Sequence, residues 1–153
     1  MEPNLSILER RRIEAEIVKP IYEALKAEFG VETAQRIIAG AVKAKAIEFG
    51  KSLAESGTPS VRHFAELLPL WKQDDALETE TLTQNDTQFD FNVTRCRYAE
   101  MYREMGLQEI GHLLSCNRDA SFCDGYDPRL KLTRTQTIMQ GAPHCDFRYR
   151  WEE

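Results

Sequence analysis

The chain has 153 residues, of which 42% are hydrophobic and 29% charged, a composition that predicts one globular domain over residues 1–153. Its formal net charge of -5 argues against binding to the phosphate backbone of nucleic acids. No apolar run approaches the roughly 20 residues that a membrane-spanning helix needs. Residues 1–10 lack the pattern of a secretory signal, so we expect a cytoplasmic protein with reduced cysteines and with neither nucleic-acid nor membrane partners.

Residues 1–71 are predicted to be mostly helical. Apolar residues between Leu5 and Phe29 recur every three to five positions, which is typical of an amphipathic helix. Pro20 should kink this helix or open a second one. A following helix carries a stripe of small residues over 34–47, which favours close packing within the chain or across a homo-oligomer. A short third helix completes this part.

Arg10, Arg11 and Arg12 form a basic run on the first predicted helix, between Glu9 and Glu14. Such a run is compatible with an anion-binding site or with a helix face that water solvates. We interpret it as a solvated face, because charged runs on helices usually have that role.

Residues 76–153 are predicted to form a sheet with two short helices that carry the candidate site. Near-alternation of apolar and polar residues over 77–83 and 89–95 predicts a first β-hairpin. A second hairpin is predicted from residue 130 to residue 151. Its arms are residues 130–139 and 144–151, and its turn is residues 140–143. Together the hairpins, linked by helices, give a four-stranded antiparallel sheet on which the N-terminal helical layer packs, an α+β fold.

Cys116 is the leading candidate for a nucleophile, at the end of a predicted short helix. Arg118 could favour its thiolate and Asp119 could move a proton, as in other activated cysteines. The alternative is a buried and inert cysteine, since free cysteine is among the most buried residue types.

Cys96 is predicted to open a helix directly after a strand, where the helix N-terminus lowers the pKa of a thiol. Glu100 lies one turn later and could act as an acid if its pKa is raised beside Met101. Core packing of Cys96 and a surface position for Glu100 are the structural alternatives.

Arg134 alternates with Leu130 and Leu132, so we expect it to point toward the apolar face of its strand. An arginine in that position needs a carboxylate partner, from the protein or from a ligand. Cys145 is predicted to be structural, among core-facing aromatic residues, and Cys123 is predicted to lie in a loop.

The cysteines and histidines are not at recognised metal-ligand spacings, and the sequence has no glycine-rich nucleotide-binding motif. It also has no Gly-x-Ser-x-Gly motif of serine hydrolases. We therefore expect neither a metal nor another cofactor.

Three segments of the chain, residues 93–100, 113–119 and 134–147, resemble the L-2-amino-thiazoline-4-carboxylic acid hydrolase family. The resemblance implies hydrolysis of a carbon–nitrogen bond in a small cyclic amidine or amide. By resemblance, four residues are catalytic candidates: Cys116, Asp119, Glu100 and Cys96. Three others are candidates for substrate binding: Arg134, Thr137 and Cys145. Gly141 also falls on a motif position.

Two mechanisms remain open for such a hydrolase. In one, the Cys116 thiolate attacks the ring carbon, Asp119 or Glu100 moves protons, and Arg134 holds a substrate carboxylate. In the other, a carboxylate activates water directly and the thiols only line the pocket. A non-catalytic sensor module that binds a small ligand or a metal is the alternative function. The four clustered cysteines and the absence of a catalytic histidine motif favour it, and the end of the second hairpin is similar to 4-vinyl reductase domains.

Overall fold

The computed structural model describes residues 5–153, so the first four of the ten residues that we searched for a secretory signal lie outside the described part. The helices are α1 Ile7–Phe29, α2 Val31–Ala54, α3 Val61–Leu67, α4 Pro69–Lys72, α5 Arg97–Glu104, α6 Gly111–Leu114 and α7 Arg118–Tyr126. The strands are β1 Leu77–Gln84, β2 Gln88–Cys96, β3 Leu130–Thr133 and β4 Cys145–Trp151. Two short 3₁₀-helices span Gln73–Asp75 and Ile138–Gln140.

The long helices α1 and α2 begin and end where local chemistry sets their limits. The Ser6 hydroxyl accepts a hydrogen bond from the backbone N–H of Glu9 (3.1 Å) and caps α1. α1 continues through Pro20 as one helix and ends at Gly30, whose φ of 90° only glycine adopts without strain. The same glycine precedes α2, which packs against α1.

The four strands form one antiparallel sheet in the order β1-β2-β4-β3. Phe91 lies opposite Phe147 and Phe89 lies opposite Tyr149, so the aromatic residues of β2 and β4 share one face. The helices cover this face, and Phe64 of α3 packs on Tyr149 with ring centroids 4.6 Å apart. The predicted α+β fold, with a helical N-terminal part and a sheet of two hairpins, is confirmed.

The first arm of the second hairpin is shorter than predicted, because β3 ends at Thr133. The Asp146 carboxylate accepts hydrogen bonds from the backbone N–H groups of Thr135 (2.9 Å) and Gln136 (3.0 Å). The Thr137 hydroxyl then accepts from the backbone N–H of Gln140 and caps the second 3₁₀-helix. These side-chain bonds replace the strand ladder, which is how Thr and Asp commonly divert a backbone.

α7 was not predicted, and the placement of Cys123 in a loop is wrong, because this residue is buried within α7. Asp, Ser and Gly are weak helix formers, so the sequence of α7 gives little local signal. Packing against α2 stabilises it instead. A Cβ atom at Gly125 would lie 2.0 Å from the carbonyl oxygen of Ile47, and one at Gly50 would lie 2.3 Å from that of Phe122. Glycine is needed at both positions because the two backbones touch.

The outer surface of α1 and α2 carries exposed apolar side chains, among them Ile13, Ile17 and Ile21. A Cβ atom at Gly40 of α2 would meet no atom within 4 Å, so the stripe of small residues faces open space at this point. Self-association through this helix stays a prediction. Within residues 5–153, no helix is both long and apolar enough to cross a membrane.

Candidate active site

Asp119 and Arg134 form an ion pair beneath the apolar face of the sheet. α7 positions Asp119 in its first turn, and the segment after β3 brings Arg134 to it, with 2.5 Å between Arg134 Nη1 and Asp119 Oδ2. Arg134 Nη2 also donates to the backbone carbonyl of Cys116 (3.2 Å), and the guanidinium lies 5.1 Å from the ring centroid of Phe147. Arg134 thus points toward the apolar face, and its carboxylate partner comes from the protein.

The Asp119 carboxyl has the electrostatic setting of a proton-transfer group. Burial raises its pKa above the ordinary value, and the nearby Arg134 cation opposes this effect. A carboxyl whose pKa is shifted by burial and that has a specific charged partner is a candidate for proton transfer.

The thiols of Cys96, Cys116 and Cys145 have a different setting. Burial raises the pKa of Cys96 to about 11, although it caps α5 by accepting from the backbone N–H of Ala99 (3.4 Å). The effect of burial on the pKa of Cys96 therefore outweighs the lowering that we predicted from its place at the helix N-terminus. Burial also raises the pKa of Cys116, and the negative charge of Asp119 raises it further. Burial likewise raises the pKa of Cys145. The raised pKa values disfavour the thiolate form of all three cysteines.

The structure places Glu100 and Thr137 in other roles. Glu100 accepts two hydrogen bonds from Arg95 (3.1 and 3.2 Å) at the protein surface, and this partner lowers its pKa. A lowered pKa is the opposite of what a general acid needs, so catalysis by Glu100 stays a prediction without support from the geometry. The buried Thr137 holds the segment between β3 and β4.

Three spaces lie in series between α1, α2, α7 and the sheet, and each shares lining residues with the next. An outer cleft of about 400 Å³ shares Arg11, Phe49 and Arg118 with a neck of about 10 Å³. The neck shares Asp119 and Phe122, among others, with an aromatic cavity of about 50 Å³. Asp119 lines the neck and the aromatic cavity, whereas none of the four cysteines lines any of these three spaces.

The aromatic cavity is apolar apart from Asp119. Its volume of about 50 Å³ has room for a few water molecules, so a ring-shaped ligand must displace side chains to enter it. The cavity is lined by Phe64, Leu68, Trp71, Phe91, Asp119, Phe122, Phe147 and Tyr149.

The interpretation of the basic run as a solvated face is wrong for Arg11, which is buried. Arg11 lies four residues after Ile7 and four before Ala15, both of which are buried on the inner stripe of α1. That spacing was the signal that could have placed Arg11 inside. Its Nη1 donates to Glu14 Oε1 (3.2 Å), and Arg118 Nη2 donates to the same oxygen (3.3 Å).

A metal has no evident ligand set here. Within residues 5–153, no group of three or more His, Cys, Asp or Glu side chains is placed to hold a metal ion. The four cysteines are free thiols, and three of them are buried.

The sequence pattern of the L-2-amino-thiazoline-4-carboxylic acid hydrolase family matches residues 10–149, which is most of the chain. The chain belongs to this family. The match includes both partners of the Asp119–Arg134 pair and the arginines of the outer cleft. No curated protein matches the sequence.

Two solved structures share the fold of this member of the hydrolase family. The phenol-responsive sensory domain of the transcription activator PoxR, with phenol, has a TM-score of 0.55 and 13% identity over 90% of this chain and 73% of its own. Trafficking protein particle complex subunit 3 from Naegleria fowleri, covalently bound to palmitic acid, has a TM-score of 0.54 and 10% identity over 94% of this chain and 96% of its own. At these identities the likeness concerns the fold alone.

Proposed function

We propose that this protein hydrolyses a small cyclic amidine or amide and that Asp119 moves the proton in the reaction. Membership of the L-2-amino-thiazoline-4-carboxylic acid hydrolase family supports the reaction class. The observation that carries the role of Asp119 is its position, since it lines both the neck and the aromatic cavity.

In the proposed reaction, the Asp119 carboxylate accepts a proton from a water molecule as the water oxygen adds to the amidine carbon. The tetrahedral adduct then collapses to a carbonyl as its bond to the ring nitrogen breaks, and the leaving nitrogen takes one proton from the Asp119 carboxyl and the other from the hydroxyl group of the adduct. The sum is substrate plus one water, and Asp119 returns to its starting state. Positioned proton transfer of this kind contributes a rate factor of about 10²–10⁴.

Arg134 is a positioning residue in this scheme. Its hydrogen bond to Asp119 and its bond to the Cys116 carbonyl fix the carboxyl relative to α7. Cys116 and Cys96 are not nucleophiles in this scheme, because burial raises the pKa of both thiols and a protonated thiol is a poor nucleophile. Of the two mechanisms that the sequence leaves open, we favour direct activation of water.

The test is turnover of 2-amino-thiazoline-4-carboxylate by the purified protein, with the ring-opened product followed by chromatography. We expect turnover by the wild type and a loss of kcat of about 100-fold or more in Asp119→Asn. Asp90→Asn is the matched control, because Asp90 also pairs with an arginine, Arg150, but lines none of the three spaces. Absence of wild-type turnover, or full activity in Asp119→Asn, would refute the proposal.

A ligand-binding module without turnover is the second candidate, and the aromatic cavity favours it. Six aromatic side chains and one carboxyl are a suitable lining for a small aromatic ligand, and one structure of similar fold is described as a phenol-responsive sensory domain with phenol. Calorimetry with phenol tests this candidate. Binding at one site per chain, together with no consumption of the thiazoline, would favour it over the hydrolase.

A further inference from the structure

The outer cleft carries more positive charge than its own carboxylates neutralise. Four cationic side chains line it, and two carboxylates accompany them, which leaves an excess of two positive charges. The chain as a whole has a net charge of -5, so this excess is local and opposite in sign to the protein. The charged residues of the lining are Arg10, Arg11, Glu14, Lys45, Glu48 and Arg118.

Arg11 and Arg118 are the least exposed members of this set. Their side chains are only 9% and 16% exposed, and both donate to the single oxygen Glu14 Oε1. One carboxylate therefore faces two guanidinium groups. Burial lowers the pKa of Arg118, and the positive charge of Arg11 lowers it further, which is the effect of two like charges held close together.

Both arginines keep donors that no side chain within the described residues 5–153 uses. Among residues 5–153, the hydrogen bonds of Arg11 involve Nη1 alone, and those of Arg118 involve Nε, which donates to the Leu114 carbonyl (2.7 Å), and Nη2. Nε and Nη2 of Arg11 and Nη1 of Arg118 remain for a ligand. An arginine pair with free donors is suited to a planar carboxylate.

Arg11 and Arg118 line a space that Asp119 also lines. Arg11 and Arg118 line the outer cleft and also the neck, where Asp119 is their neighbour. An anionic group held by the two guanidinium groups therefore lies beside the neck, and because the neck of about 10 Å³ has room for one water molecule, a ring must displace side chains to pass it. Arg134, in contrast, already donates to Asp119 and to the Cys116 carbonyl.

We infer that Arg11 and Arg118 bind the carboxylate of the ring substrate in the outer cleft and so direct the ring through the neck toward Asp119. The inference rests on the proposed function for the identity of its ligand. It assigns substrate recognition to α1 and the start of α7, and leaves Arg134 to position Asp119.

The kinetic test compares 2-amino-thiazoline-4-carboxylate with 2-amino-thiazoline, which lacks the carboxylate. For Arg11→Met, we expect the KM of the carboxylated compound to rise about 10- to 100-fold with kcat nearly unchanged, as loss of a charge-assisted bond predicts. Kinetics with the neutral compound should stay as in the wild type. Arg11→Met leaves Glu14 paired with Arg118, so it should fold, and Arg11→Lys should lose less affinity because it keeps the charge.

Arg12→Met is the matched control, since Arg12 is exposed on the same helix, pairs with Glu9 and Glu16, and does not line the outer cleft. It should leave both KM values unchanged. An equal rise of KM for the two compounds in Arg11→Met, or no rise for either, would overturn the inference.

Direct binding separates this inference from the proposed function. Calorimetry with 2-amino-thiazoline-4-carboxylate needs no turnover and can use Asp119→Asn as well as the wild type. If the wild type binds the compound without consuming it and Arg11→Met binds it at least about tenfold more weakly, the hydrolase proposal fails and the carboxylate site stands. If the wild type does not bind, or Arg11→Met binds equally well, the carboxylate site is wrong whatever the activity.

Discussion

Two of the aspartate–arginine pairs lie partly buried on opposite faces of the same sheet. Asp119 and Arg134 lie beneath the apolar face, where Phe91, Phe147 and Tyr149 share a cavity with the carboxyl. Asp90 pairs with Arg150 on the polar face, across the adjacent strands β2 and β4. The residue types are the same, but only the first pair adjoins a cavity.

Partial burial is common to the two pairs and therefore does not separate them. Arg150 reaches Asp90 along the strands and also donates to its neighbouring Tyr149 carbonyl (2.8 Å), which is a common way to order a sheet surface. Arg134 reaches Asp119 from a segment that has left the sheet, and the carboxyl adjoins space that a ligand can approach. Access for a ligand, and not the pairing, distinguishes the two.

The largest expected effect concerns α7, the helix that carries Asp119. Gly125→Ala places a methyl group 2.0 Å from the Ile47 carbonyl oxygen, so we expect a loss of ~3 kcal/mol or more in the free energy of unfolding. Gly40→Ala on the open side of α2 should instead stabilise the protein by ~0.5–1 kcal/mol. Urea denaturation measures both. Equal stabilities of the two variants would contradict the close α2–α7 contact.

The second prediction compares the two arginines directly. Arg134→Met leaves Asp119 without its partner beneath the sheet and should cost ~3 kcal/mol of stability. Arg150→Met should cost less, ~1 kcal/mol, because Arg150 is 37% exposed and Arg134 only 17%, so the loss of Arg150 leaves a position that water can fill. Chemical denaturation of both variants checks the order, and a larger loss for Arg150→Met would reverse the comparison.

The third prediction concerns the chemical reactivity of the buried thiols. Burial raises the pKa of Cys96 to about 11 and that of Cys123 to about 12. At neutral pH we expect Cys96 to react with iodoacetamide about 100-fold more slowly, and Cys123 about 1000-fold more slowly, in the folded protein than in the unfolded chain. Mass spectrometry of timed samples measures the rates for each cysteine. Rapid alkylation of Cys116 in the folded protein would support the nucleophile mechanism instead.

The smallest expected effect is a dependence of stability on pH. Because burial raises the pKa of Asp119, the folded protein keeps this proton at a pH where the unfolded chain, with the ordinary value of 3.8, has released it. The contribution of this group to stability is therefore greatest below the unfolded pKa and falls as the pH rises through the folded value. Stability measured across mildly acidic pH should fall more steeply with rising pH in the wild type than in Asp119→Asn. Parallel curves would contradict the raised pKa.

The fold class could be predicted from the sequence because its periodicities are strong. The alternation of apolar and polar residues in β2 and β4 predicted which face of the sheet carries the aromatic side chains. The spacing of apolar residues in α1 and α2 predicted both long helices. α7 could not be predicted, because its helicity depends on the contact of Gly125 with α2 and not on local propensity. The end of β3 was missed for a similar reason, since Asp146 acts from another strand.

The candidate site was predictable only in part. The apolar alternation around Arg134 indicated an inward arginine that needs a carboxylate, and Asp119 provides it. The sequence could not show that burial affects the pKa of Cys96 more than the helix N-terminus does. It also could not show that Arg95 pairs with Glu100 at the surface. The catalytic and substrate-binding roles of all these residues stay predictions.

The most direct measurement of the central claim is kcat for 2-amino-thiazoline-4-carboxylate in Asp119→Asn and Cys116→Ala, assayed side by side with the wild type. If the carboxylate activates water, Asp119→Asn loses about 100-fold or more and Cys116→Ala keeps most of the wild-type activity. An inactive Cys116→Ala beside an active Asp119→Asn would contradict the account and assign the chemistry to the thiol.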